Sequence, residues 1–263
     1  MAAPQVSVVS VTRNDLAGIQ RTRASVLAQQ GVKIQHIVVD GASSDGTVEW
    51  LKQQRWAKPS TFLSQPDDGI YDAMNRGAAL ATGTLIVFLN GGDVFPRAWT
   101  VREVAEHWQA YGWAWAYGIT VLSKVDGRVS RIHQFAPFSR VRLGLGLSAV
   151  PHQATWMQTD FFHQIGGYRV AASLSADMDL CWAACQVAEP ALIGEVLSVA
   201  EEGGVSAQQG PGYYARAMRA NVKYHQKSVT GSRVIDGLAA WTVVIWTSIV
   251  QIIPTWWAKR AGK

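Results

Sequence analysis

Apolar residues in the first hundred positions fall into short, separated runs. Gln5–Val11 (QVSVVSV) is rich in β-branched residues, and His36–Val39 (HIVV), Thr61–Ser64 and Leu85–Leu89 (LIVFL) follow at intervals. Short β-branched and aliphatic runs bounded by Gly, Ser and Asp read as strands. Between them lie helical stretches: one after Asn14 to about Gln29, closed by Gly31; one over Thr47–Gln54; and one over Ile70–Ala81, stopped by Gly83. Strands this short, alternating with helices, predict right-handed βαβ units and a parallel sheet covered on both faces.

Past residue 95 the pattern changes. Ala114–Ile132 reads as two strands around an Asp126-Gly127 turn, a hairpin signal. Helices are expected after His152-Gln153 and over Ser175–Val187. Near the end, Gly237–Ile253 runs for 17 residues without a charge. As a helix it would rise about 26 Å, close to the lower limit for crossing a bilayer core. Trp241, Trp256 and Trp257 flank or enter it, with Lys259, Arg260 and Lys263 beyond. That arrangement fits an interfacial membrane anchor; a short span and a buried core or dimer helix are the alternatives. The expected organisation is one domain over 1–232, with halves of about 1–95 and 96–232, and a membrane-associating segment over 233–263.

Composition narrows the picture. With 48% hydrophobic and 16% charged residues in 263, the chain is too apolar for extended disorder and long enough for one sizeable core. A net charge of +5 favours an acidic partner. No Lys/Arg-rich run is interleaved with aromatics, so nucleic acid is not the expected one. Cys181 and Cys185, four apart on a helix, read as small core residues rather than a disulfide or zinc pair. The N-terminus lacks a secretory signal pattern.

Ligands of parallel sheets collect at the C-terminal ends of the strands. Polar chemistry is concentrated there: Thr12-Arg13-Asn14 after the first strand, Asp40 after the second, Asp67-Asp68 after the third, and Asn90-Gly91-Gly92-Asp93 after the fourth. Asp40 can accept a hydrogen bond from a base or ribose, and Asp45 can cap the next helix, though both acids also suit a plain turn. Asp68-Gly69 leads into a helix bearing Tyr71, Asp72, Asn75 and Arg76, more polar chemistry than a turn requires. Arg76 faces a diphosphate or solvent. Asp177, read alone, is a helix cap, and Glu201–Ser206 is a surface turn or a lid.

The segments VSVVSVTRN, VVDGASSDGT, PDDGIYDAMNRGAALATG and LIVFLNGGD resemble, in order and approximate spacing, the nucleotide-binding half of family 2 glycosyltransferases of the GT-A fold. The similarity is greatest to bacterial enzymes of exopolysaccharide and surface-glycan synthesis; it is firm over about 5–95 and looser over about 96–206. It implies a GT-A-like α/β domain, a mostly parallel Rossmann-like sheet flanked by helices. Thr12, Arg13 and Asn14 would line the nucleotide pocket, Asp40 would meet the base, and Asp68 and Arg76 would lie near ribose and diphosphate. Asn90, Gly92 and His152 would face the donor site. The family's metal motif is acid-rich where this chain reads NGGD, so Asp93 would bind Mn2+ or Mg2+ with the diphosphate. Asp177 aligns with the catalytic base, Asp179 supports it, and Ala176 stands where Glu is frequent. The implied reaction is inverting transfer of one sugar from a UDP-sugar to a glycan or lipid-linked acceptor, at the cytoplasmic face of the inner membrane. A nucleotidyltransferase would want a Gly-rich basic loop after the first strand, which Val11–Asp15 is not. A silent nucleotide-binding scaffold is the other reading; Asp93 with Asp177 speaks against it.

Overall fold

The computed structural model describes residues 5–201 except 125–126, 146–147 and 173–174, together with a few isolated positions between 232 and 242. Four strands, β1 (Gln5–Thr12), β2 (Lys33–Asp40), β3 (Thr61–Ser64) and β4 (Leu85–Phe88), alternate with α1 (Leu16–Leu27), α2 (Thr47–Gln53) and α3 (Ile70–Ala78). They are followed by α4 (Thr100–Tyr111), β5 (Trp115–Ser123), β6 (Val129–His133), α5 (Arg140–Gly144), β7 (Thr155–Gln158), α6 (Thr159–Gln164), α7 (Ala176–Val187) and β8 (Ala191–Glu201). All eight strands join one sheet in the order β3-β2-β1-β4-β7-β5-β6, with β8 paired to β5. The first four are mutually parallel, as their pattern predicts. β7 enters antiparallel between β4 and β5, β6 pairs antiparallel with β5, and β8 runs parallel to β5.

Alternation along the strands builds two cores. Val9, Val11, Ile86 and Phe88 point to one side, with α3 and α7; Val6, Val8, Leu85 and Val87 point to the other, with α1 and α4. Trp115, Tyr117 and Trp156 are fully buried, each worth roughly 2–3 kcal/mol of apolar burial. Gly77 lets α3 lie flush on the sheet, since a Cβ there would stand 2.4 Å from Val9 Cγ1.

The helix expected after His152-Gln153 is replaced by a 3-10 turn over His152–Ala154, strand β7 and only then α6. β7 is four residues long, too short to display a period. β8 also lies beyond the sequence expectation, because Gly194 and Glu195 interrupt its apolar run. α3 ends at Ala78 rather than Ala81, its last carbonyls taken up by tight turns at Leu80 and Ala81. Cys181 and Cys185 are free and buried, as expected. The membrane-associating segment over Gly237–Ile253 and the loop after Glu201 lie almost wholly outside the described residues. Among the described residues no helix is long and apolar enough to cross a membrane.

Candidate active site

β1 has β2 on one side and β4 on the other, so the connections leave its C-terminal end in opposite directions and open a crevice there. Backbone bonds fix both walls: Gly41 N–H donates to Thr12 O at 2.9 Å, and Gly91 N–H donates to Val11 O at 2.9 Å.

On the β2 side, Asp40 is fully buried. Its Oδ2 accepts from Ser43 N–H (3.0 Å) and Ser64 Oγ (2.7 Å), while Oδ1 has no partner. Thr12 Oγ1 is likewise buried without one. Buried oxygens are normally hydrogen-bonded, and two orphans at one sheet edge mark a ligand position. Asn14 and Ala42 both have left-handed backbones, at φ 50° and 56°, a conformation that costs a non-glycine residue about 1–2 kcal/mol and clusters at functional sites. Asn14 locks the two loops together: its N–H donates to Ser43 Oγ, and its Oδ1 accepts from Ser44 N–H at 2.8 Å. Asp45 caps α2 through Thr47 and also receives Leu16 N–H at the start of α1. Arg13 is exposed beside Gly41.

The β3–α3 turn assigns its polar residues largely to its own construction. Asp67 Oδ1 accepts from Gly69 N–H, and its Oδ2 packs against Gly41, where a Cβ would meet it at 2.5 Å. Asp67 thus lies against Gly41, the residue after Asp40, and Asp68 is exposed. Asp72 Oδ2 accepts from Asp68 N–H and pairs with Arg76 at 2.7 Å, while Arg76 also donates to Pro66 O. Arg76 is thus engaged in holding this turn. Asn75 clasps the second half of the chain, donating to Tyr168 O (2.7 Å) and accepting from Tyr168 N–H (3.0 Å), with Tyr71 against the Tyr168 ring.

On the β4 side, Thr22 of α1 shapes the NGGD loop. Its hydroxyl accepts from Gly92 N–H and lies 3.0 and 2.8 Å from the Asn90 and Asp93 carbonyl oxygens. Nothing in the sequence singles out this helical threonine. Gly92 takes φ +92°, which favours glycine. Asp93 is 8% exposed, and burial pushes its carboxyl up to about 8, opposed only in part by the Asn90 backbone N–H. A carboxylate buried without a compensating cation holds its proton, and a bound cation would ionise it. Among the described residues no group of three or more His, Cys, Asp or Glu could hold a metal alone. Asp93 fits a divalent ion that takes its remaining ligands from diphosphate oxygens and water.

The second half brings Asp177, the first turn of α7, to the same region. Asp177 Oδ2 lies 3.9 Å from His152 Nδ1, and His152 Nε2 lies 3.2 Å from Asn90 Nδ2. Burial lowers the His152 pKa, with Asp177 acting in the opposite sense. His133, at the end of β6, is also held neutral by burial and bonds Ala149 O. Asp179 pairs with Arg169 at 3.5 Å on the flank. Asn90, His152 and Asp177, expected on separate grounds, are therefore neighbours.

The model of glycosyl transferase family 2 matches residues 7–170. An uncharacterized glycosyltransferase of Mycobacterium tuberculosis is 35% identical over 241 residues, 89% of both chains. A PGL/p-HBAD biosynthesis glycosyltransferase of Mycobacterium bovis is 30% identical, covering 68% of this chain and 69% of its own. Among solved structures, the mannosyltransferase PcManGT from Pyrobaculum calidifontis, in complex with GDP-Man and Mn2+, superposes with a TM-score of 0.65 at 17% identity, over 94% of this chain and 73% of that one. S. aureus TarS 1–349 in complex with UDP-GlcNAc gives a TM-score of 0.65 at 15% identity, over 90% and 70%.

Proposed function

The chain belongs to glycosyl transferase family 2, and from that footing we propose that it transfers one sugar, with inversion, from a UDP-sugar to a glycan acceptor carried on a lipid. It is a glycosyltransferase with a GT-A-type sheet. The observation that carries the finer reading is the contact between the two halves of the chain: Asp177, at the head of α7, lies beside His152, which in turn meets Asn90 of the loop that ends in Asp93.

The donor's nucleoside would sit against the β1 and β2 ends, where Asp40 Oδ1 and Thr12 Oγ1 offer unpaired acceptors. Arg13, Asn14, Asp68 and Arg76 rim that edge, Asn14 through the loops it ties and Arg76 through the turn it holds. Asp93 would hold Mn2+ or Mg2+, which when bound neutralises the negative charge on the departing nucleoside diphosphate. Asp177 takes the proton of an acceptor hydroxyl as that oxygen attacks the anomeric carbon. The bond from this carbon to the diphosphate oxygen breaks, and the nucleoside diphosphate leaves with the electron pair. Attack from the face opposite the leaving group inverts the centre.

The lipid-borne acceptor and a place on the cytoplasmic face of the inner membrane are supported by surface chemistry. Between Asp126 and Asp160 the sequence has no acidic residue and four arginines, Arg128, Arg131, Arg140 and Arg142. Val129, Ile132 and Val141 among them are more than half exposed. Basic and aliphatic residues together suit an anionic lipid surface.

The direct test is Asp177→Asn in a transfer assay with isothermal titration of the nucleotide alongside. Transfer is expected to fall by at least about a hundredfold, with nucleotide affinity kept. Turnover near wild type would remove Asp177 from the role of base.

A further inference from the structure

We propose that Asn90 and His152 form a positioning pair for Asp177, so that the amide standing where the family favours a metal-binding acid serves the base instead. The inference rests on Asp177 being the base. Asn90 Nδ2 carries only hydrogens, so at 3.2 Å the His152 Nε2 must offer its lone pair. A neutral imidazole then keeps its proton on Nδ1, the nitrogen that faces Asp177 Oδ2 at 3.9 Å. An aspartate at position 90 would require Nε2 to donate. As long as the ring stays neutral, that draws the proton off Nδ1 and turns a bare nitrogen toward the Asp177 carboxylate. The replacement of acid by amide at the end of β4 thus has a structural consequence across the crevice.

Among the described residues, the other groups recorded around Asp177 do not replace the imidazole. Its own Oδ1 accepts from Met178 N–H, which fixes the carboxylate at the head of α7. Three further titratable groups sense its charge: His133 at the end of β6, Tyr168 in the turn after α6, and Cys181 one turn along α7. Burial works against the charged form of all three, and the phenol and thiol are driven further from ionisation by Asp177 itself. In this pairing His152 orients Asp177 Oδ2 toward an acceptor hydroxyl; the two stand 3.9 Å apart, so the hydrogen bond forms once ring or carboxylate moves toward the other. It would act before the substrate does, holding the carboxylate aimed.

Four variants of the full chain test this: Asp177→Asn, His152→Ala, His152→Asn and Asn90→Asp. Each is measured for kcat, its pH profile, and Mn2+-dependent UDP affinity. His152→Ala should lower kcat by about ten- to a hundredfold, move the acid limb of the profile to higher pH, and leave UDP affinity within about twofold. His152→Asn keeps an N–H where Nδ1 stood and should recover part of the loss with the limb restored. Asn90→Asp should lower kcat in the same way. Three results would overturn the pairing: an unchanged pH limb in His152→Ala, a loss confined to UDP affinity, or a gain of metal-dependent UDP affinity without loss of kcat in Asn90→Asp. Should Asp177→Asn itself retain turnover, the base assignment fails and the pairing with it. Should Asp177→Asn be inactive while the His152 and Asn90 variants behave as wild type, only the pairing fails.

Discussion

Asp93 sits at the tight end of a loop whose shape is set by one hydroxyl from a neighbouring helix, Thr22. Burial raises its carboxyl from the ordinary 3.8 to about 8, so in the free protein it holds a proton at pH 7. On the proposed reading, a cation bound at Asp93 with a diphosphate would displace that proton. Metal-dependent nucleotide binding should therefore release close to one proton at pH 7 and almost none at pH 9, and titration in buffers of different ionisation enthalpy would show it. Affinity should rise toward pH 8 and then level off. The same shift governs stability without metal. Folded and unfolded chains are both protonated at this site below about pH 4. As pH rises toward 8, the unfolded chain gives up the proton while the folded one must keep it, so the stabilisation present at low pH is lost. Asp93→Asn removes that dependence and should raise the melting temperature at pH 8 without metal by at least about 3 °C, while abolishing Mn2+-dependent nucleotide affinity. A melting temperature unmoved by the substitution would mean that the carboxyl is already ionised.

Elements differ in how far their residues announce them. β1 to β4 were legible because each is a dense β-branched or aliphatic run between turn residues, and the polar residues of the proposed donor edge lie at their C-terminal ends. α4 also carried its signal, with Val101, Val104, Ala105 and Trp108 at helical spacing, but no chemistry drew attention to it. β7 and β8 were not legible, since one is four residues long and the other is broken by Gly194, and pairing with distant strands decides both. The residues of α3 show a different limit. Tyr71, Asp72, Asn75 and Arg76 read as ligand chemistry, and in the fold they also build a turn and clasp Tyr168, 93 residues from Asn75. Only the tertiary structure reveals that architectural duty. Asn75→Ala leaves both the Tyr168 N–H and carbonyl without their partner. It should cost about 1–3 kcal/mol in urea denaturation with an unchanged slope, and a loss under about 0.5 kcal/mol would mean that water replaces the amide. The contact among Asn90, His152 and Asp177 was likewise beyond sequence reach, because three separate chain segments meet there.

At the scale of the whole molecule, one sheet carries strands from both halves of the described chain, β1 to β4 and β5 to β8. The proposed lipid contact draws on two features of the sequence, the basic, acid-free stretch and the apolar C-terminal segment. Ending the chain at residue 232 should reduce sedimentation with phosphatidylglycerol vesicles at least about tenfold while nucleotide binding persists. Undiminished sedimentation would place the lipid contact on the arginine-bearing face alone. The central claim is narrower: a nucleotide-sugar site at the β1 and β4 ends that depends on a metal held by Asp93. It is tested most directly by isothermal titration of UDP into the wild-type protein and Asp93→Ala, each with and without Mn2+. Binding to the wild type only when Mn2+ is present, and none to Asp93→Ala, is the expected result; equal binding in all four titrations, or none in any, would contradict it.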